Sequence, residues 1–209
     1  DKLYYVGADA KESGVLQGEL AAAYLKAHPE ADRNQDGVIQ YVVLEGEAGH
    51  QDAILRTEYA ASTLKERGIS LEKLGYALAN WNRSQAQTQV QQLLQSYGTR
   101  IELILANNDD MALGALDAYR ASNIPLPPIF GIDGTEPGLS AVRDQSLTGT
   151  VKNNGIGQAE AMLSLALSLA AGEKSAYTLD RGKYIRIPYE AVSADKDSSI
   201  TARSTDLSR

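Results

Sequence analysis

The residues best suited to chemistry lie in the run Asp32-Arg33-Asn34-Gln35-Asp36-Gly37-Val38-Ile39-Gln40. Oxygen-bearing side chains hold its first, third, fifth and ninth places and glycine its sixth, the spacing of an EF-hand calcium loop. A hard dication takes about six to eight oxygens, and one peptide supplies them only by coiling around the ion. Asp32, Asn34, Asp36 and Gln40 would then point inward, Val38 would offer its carbonyl, and Gly37 would take a turn that a side chain obstructs. An EF-hand closes with a bidentate glutamate at its twelfth place, and here that place is Val43. Either the loop is an ordinary Asx-rich turn, or a carboxylate reaches it from elsewhere.

A second set is scattered along the chain but regular in its setting: His50, Asp52 and Arg56, then Trp81, Asn108, Asp133 and Asn153. Each falls just after an apolar run. Arg56 is one helical turn past Asp52 and shares its face. An aromatic ring with carboxylate, amide and guanidinium groups suits a neutral polyhydroxylated ring, whose hydroxyls both donate and accept. Trp81 is the only tryptophan, and its neighbours Asn80, Asn82, Arg83 and Ser84 are too polar for a core position. Read as an enzyme, His50 and Asp52 would be an acid/base pair, or Asp52 and Asp133 the two carboxylates of a glycosidase. No serine-histidine elbow, phosphate-binding glycine loop or metal-histidine spacing supports other chemistry. The pattern favours binding over catalysis.

These residues need elements to position them. Strands are expected at Leu3–Val6, Ile39–Leu44, Leu74–Ala79, Ile101–Ala106, Ile129–Ile132 and Leu147–Lys152. Between them come helices from Ser13 to Leu25, from Asp52 to Arg67, through Val90, Leu93, Leu94 and Tyr97, from Asn108 to Ala121, and from Pro137 to Arg143. Strict alternation predicts an α/β fold, a parallel sheet with helices on both faces. Ligands of such sheets bind beyond the carboxyl ends of the strands, where the second set falls. A further helix at Gln158–Ala171 is apolar nearly all round, and so expects burial between layers. A strand at Lys183–Ile187 follows it.

The chain of 209 residues is 43% hydrophobic and carries a net charge of −7 with no block of like charges. That argues against nucleic acid or an anionic membrane surface as partner. No apolar run approaches the roughly 18 residues that cross a bilayer, and no signal-peptide pattern is seen, so a mature, trimmed or cytosolic chain is expected. Without cysteine there are no disulfides, thiolate sites or thiol catalysis.

From Tyr4 to about Asp197 the chain resembles the class I periplasmic sugar-binding family, in particular its galactose/glucose-binding members. The segments are Tyr4-Tyr5-Val6-Gly7, Lys11-Glu12-Ser13-Gly14, the calcium loop, Gly49-His50, Asp52, Arg56, Trp81, Ala106-Asn107-Asn108-Asp109, Phe130-Gly131, Asp133 and Gly149-Thr150-Val151. The resemblance implies Ca2+ held by Asp32, Asn34, Asp36, Val38 and Gln40 together with Glu102, which supplies the distant carboxylate. It implies a hexose, glucose or galactose, contacted by His50, Asp52, Arg56, Trp81, Asn108, Asp133 and Asn153. It further implies a calcium-bearing lobe over 4–152, elements over 153–197 that return to a first lobe absent from these residues, and a tail over 198–209. The expected partners are an ABC importer or a chemotaxis receptor, or, in a second reading, a membrane histidine kinase, together with that first lobe. The expected place is the periplasm or, in a Gram-positive source, the cell surface as a lipoprotein. The effector domain of a cytosolic sugar-responsive repressor shares the fold, but scarce cytosolic calcium argues against it.

Overall fold

The computed structural model describes residues 3–193. In chain order its elements are β1 (Tyr5–Gly7), α1 (Ala10–Ala27), β2 (Ile39–Glu45), α2 (Gln51–Glu66), β3 (Leu71–Leu78), α3 (Arg83–Tyr97), β4 (Leu103–Ala106), α4 (Asp109–Arg120), β5 (Ile129–Asp133), α5 (Glu136–Arg143), β6 (Gly149–Lys152), α6 (Gly155–Ala171), β7 (Tyr184–Arg186) and β8 (Glu190–Ser193). Short polar side chains begin the helices. Asp9, His50, Asn82, Asn108, Thr135 and Asn154 each accept a backbone N–H of the first turn, satisfying donors that have no partner within the helix. Five of these caps, all but Asp9, stand between a strand of the large sheet and the following helix, so the fold gathers polar residues along one edge of that sheet.

Strands β2 to β6 form the expected parallel array, in the order β3-β2-β4-β5-β6. The β2 strand is buried throughout and alternates between two cores. Val42 and Leu44 face Ala86, Val90, Met111 and Ala115 of α3 and α4, while Tyr41 and Val43 face Leu16, Leu20, Ala60 and Leu64 of α1 and α2. That two-sided burial is why the run is apolar without a break.

Pairing at the two chain ends differs from the sequence expectation. Strand β8, which no pattern announces, adds to β6 in antiparallel register, with Thr150 opposite Val192. Strand β1 lies outside the large sheet and pairs in parallel with β7 as a separate two-stranded sheet. A boundary at 152/153 therefore does not divide the two units. Residues 5–7 share a sheet with 184–186, and residues 190–193 return to the large one. The chain crosses between units three times, after β1, after β6 and between β7 and β8. The 198–209 tail lies outside the described residues.

The small unit has its own core of Ala161, Leu165, Ile185 and Ile187, with Val6 against it. Leu163 and Leu167 stand uncovered on the far side of α6, and Met162, Leu169, Leu3, Tyr5 and Ile156 are exposed as well. An open groove of about 350 Å³ runs between α6 and β1, lined by Tyr4, Tyr5, Val6, Met162 and Leu169. Among the described residues no helix is long and apolar enough to cross a membrane.

Candidate functional site

Arg56 is the centre of the crevice beyond the parallel strands. It lies on α2, which sits unusually close to α1. A Cβ on Gly14 would stand 2.9 Å from the Arg56 carbonyl oxygen, and one on Gly18 would stand 2.7 Å from that of Ala60. Glycine at both places lets the helices meet backbone to backbone and sets the depth of the guanidinium. Arg56 is 5% exposed. Its Nη1 donates to the Asn107 carbonyl at 2.7 Å and to Asp133 Oδ1 at 3.3 Å, and its Nη2 to the Tyr189 hydroxyl at 3.3 Å. Its Nε is buried without a partner.

Asp133 closes β5 with φ 117°, a backbone conformation that side chains other than glycine rarely adopt and that stores on the order of 1–3 kcal/mol. The buried carboxylate of Asp109 holds the turn that follows. It accepts the Thr135 N–H at 2.7 Å and the hydroxyls of Thr135 and Thr150. Burial pushes the Asp133 carboxyl up to about 6; Arg56 opposes the rise and the charges of Asp109 and Asp110 add to it. Burial likewise raises Asp109, against the hydrogen bonds it accepts.

Trp81 follows β3 with φ 61°, after Asn80 at φ 50°, a pair of left-handed residues that turns the indole back over Gly46. The His50 ring meets it edge-on, with centroids 5.2 Å apart, and the Arg56 guanidinium lies 5.8 Å from its centre. Asn108 caps α4 through Oδ1, while its Nδ2 donates to the Trp81 carbonyl at 3.3 Å. The structure thus joins His50, Trp81, Arg56, Asn108 and Asp133 into one connected wall. Asp52 and Asn153 stand at its margin. The Asp52 N–H donates to His50 Nδ1 at 3.2 Å, and the Asn153 N–H donates to the Asp133 carbonyl at 2.9 Å while its side chain accepts from Gln158.

Two residues of this wall carry no distinctive sequence signal. Asn107 bonds the Gly46 N–H and Thr57 through its side chain, tying the turn after β2 to α2. Tyr189 reaches Arg56 from just before β8. The doubled asparagine Asn107-Asn108 was the only hint of the first, and nothing local marked the second.

The 32–40 loop coils as its spacing predicts. Asp32 Oδ2 accepts the Gly37 N–H at 2.8 Å, Asn34 Oδ1 that of Asp36 at 2.9 Å, and Asp36 Oδ1 that of Val38 at 2.8 Å. The Val38 bond holds the Asp36 carboxyl below its ordinary range. Gly37 has φ 78° with open space where a Cβ would be. Glu102 does arrive from beyond α3. Its carboxylate accepts N–H groups from Arg33 at 2.7 Å, Asn34 at 3.3 Å and Gln40 at 3.1 Å. Among the described residues no three His, Asp or Glu side chains stand close enough together to hold an ion by themselves. Amide groups complete this network: Asn34 donates to Asp36 and Gln40, and Gln40 donates to Asp36. Asp32 Oδ1 is buried with no partner.

Comparison with known proteins places this geometry. Residues 1–174 match the periplasmic binding protein domain. The chain is 41% identical over 202 residues to the D-galactose/methyl-galactoside binding periplasmic protein of Haemophilus influenzae, covering 95% of this chain and 60% of that protein. It is 34% identical over 159 residues to a xylitol-binding protein of Mycolicibacterium smegmatis, covering 76% of this chain and 45% of that one. It superposes on an ABC transporter solute binding protein of Bacillus halodurans with bound myo-inositol at TM-score 0.75 and 31% identity, over 91% of this chain and 60% of that one. The chain therefore spans about 60% or less of the length of these relatives. Each is named for a ligand that it binds, or was solved with one, in agreement with a binding rather than an enzymatic reading. The chain belongs to the periplasmic binding protein domain family.

Proposed function

We propose that these residues form the calcium-stabilised lobe of a protein that binds glucose or galactose outside the cytoplasm and delivers it to an ABC importer. The observation that carries the reading is the connected wall of Arg56, Asp133, Asn108, His50 and Trp81 at the strand ends. Asp133 offers acceptors, Arg56 and Asn108 offer donors, and the indole offers an apolar face, which together match a ring of hydroxyls with axial hydrogens on one side. Asp52 and Asn153 at the margin extend the set. Relatives named for galactoside and xylitol, and a neighbour holding myo-inositol, support a polyhydroxylated ligand. Closure of a second lobe over the wall would bury the sugar, by the hinge motion common to such proteins.

The 32–40 loop fits a calcium ion. Asp32 Oδ1 is buried with no partner, and Glu102 spends three of about four lone-pair sites on N–H groups. Asp32, Asn34, Asp36, Gln40 and Glu102, with the Val38 carbonyl, would hold the ion, and its role would be to pin the loop to β2 and β4.

Calorimetric titration of the intact gene product with glucose, galactose and myo-inositol tests the reading, with Trp81 fluorescence followed alongside. Hexose should bind and alter the emission. Asp133→Ala should abolish binding, because losing one partner of a buried charged hydrogen bond costs on the order of 2–5 kcal/mol. Undiminished binding by that variant would place the ligand elsewhere.

A further inference from the structure

We propose that Tyr189 is a positioning residue for the ligand site: its hydroxyl, carried in on the crossing between β7 and β8, holds the Arg56 guanidinium turned toward Asp133. The inference rests on the sugar-binding reading above. Arg56 Nη1 already bonds both the Asn107 carbonyl and Asp133. Contacts through one nitrogen leave the planar group free to tilt about it, and a second anchor on Nη2 fixes the plane. Tyr189 supplies that anchor at 3.3 Å, from a position 133 residues away.

The tyrosine is itself held at two other places. It is 3% exposed, its ring packs in the core shared by Leu16, Phe130 and Val151, and its N–H donates to Glu12 Oε2 at 3.4 Å. Packing and orientation therefore reside in different atoms of one side chain. The ring fills the core, and the oxygen serves Arg56, with the Ser13 hydroxyl beside it. Because Tyr189 sits on a crossing between the units, any movement of that segment is transmitted to the guanidinium at the ligand wall.

Tyr189→Phe removes the oxygen and keeps the ring, whereas Tyr189→Leu removes both. In the intact, unliganded gene product the Asp133 carboxyl is titrated by NMR, and hexose affinity is then measured for each variant. The groups facing that carboxyl are Arg56, Asp109, Asp110 and the Tyr189 hydroxyl, which is neutral across this range. A loosened Arg56 neutralises Asp133 less, so in Tyr189→Phe the Asp133 midpoint should move upward. Hexose Kd should rise about tenfold or more, as for a lost hydrogen bond to a charged group, with a smaller fall in Tm than in Tyr189→Leu because the ring stays in the core. Tyr189→Leu should show the same upward shift together with a large fall in Tm. If Tyr189→Phe keeps the wild-type midpoint and Kd, or only its Tm falls, the tyrosine is a packing residue and the proposal is overturned. If no hexose binds the wild type while Tyr189→Phe still shifts the Asp133 midpoint, Tyr189 does position the pair and the sugar reading is what fails.

Discussion

Gly46 leaves empty the space that the Trp81 indole fills; a Cβ there would overlap the ring at Cε2, Cζ2 and Cη2. Gly46 directly follows β2 and Trp81 lies just past β3, so the contact joins two neighbouring strand ends at the wall around Arg56. Gly46→Ala should displace the indole from His50 and Arg56. Overpacking of this kind costs typically 1–3 kcal/mol. The variant should fold with a lowered Tm, changed tryptophan emission without ligand, and weaker hexose binding by calorimetry. An unchanged emission spectrum would show that the ring is not held by this contact.

Calcium should raise the melting temperature, since a ligand of the folded state alone stabilises by about 2.7 kcal/mol at a hundredfold excess over Kd. For a chain of this size that is roughly 5–10 °C. Glu102→Gln should remove most of the increment. Arg33→Ala should lower Tm both with and without calcium, because the Arg33 guanidinium bonds the carbonyls of Pro125 and Leu126 at 3.1 and 2.9 Å. Its calcium increment should persist. Equal calcium responses in wild type and Glu102→Gln, by differential scanning calorimetry, would remove Glu102 from the metal site.

The pH dependence should follow Asp133. Unfolded, its carboxyl releases its proton near pH 4, while in the fold it holds it to about 6. Between these values the folded state binds more protons, so this group's contribution makes stability fall as pH rises from about 4 to 6. The loss is on the order of 1–2 kcal/mol after allowance for its partial exposure. Asp133→Asn should flatten that part of the urea-denaturation profile. Hexose affinity should move oppositely, increasing through pH about 6 as the carboxylate forms. An Asp133→Asn protein with the wild-type slope would assign the titration to another group.

A polypeptide of these 209 residues made alone should self-associate and bind hexose weakly. Met162, Leu163 and Leu167 are each more than half exposed on α6, and contiguous apolar surface of this kind recruits partners. One wall of a cleft offers roughly half the contacts, while the cost of immobilising the ligand is nearly unchanged. Light scattering and calorimetry together check both. A monodisperse monomer with tight hexose binding would show that a second wall is not required.

Local pattern alone determined the parallel α/β array, the helix starts at Asn108 and Asp52, the coiled 32–40 loop, and the placement of Trp81, Asp133 and Asn153 at strand ends. Hydrophobic period and capping chemistry are read within a few residues, and βαβ order then dictates on which edge the polar residues fall. The resemblance to known sugar-binding proteins, rather than spacing, pointed to Glu102. Only the tertiary structure decided that β1 pairs with β7, that β8 runs antiparallel to β6, and that Tyr189 touches Arg56. Strand β8 is four residues, Glu190–Ser193, one exposed and three half-buried, too short to show a period. Which strand receives it, and which side chain 133 positions away meets Arg56, depends on the path of the whole chain through its three crossings, and no window of local sequence contains that path.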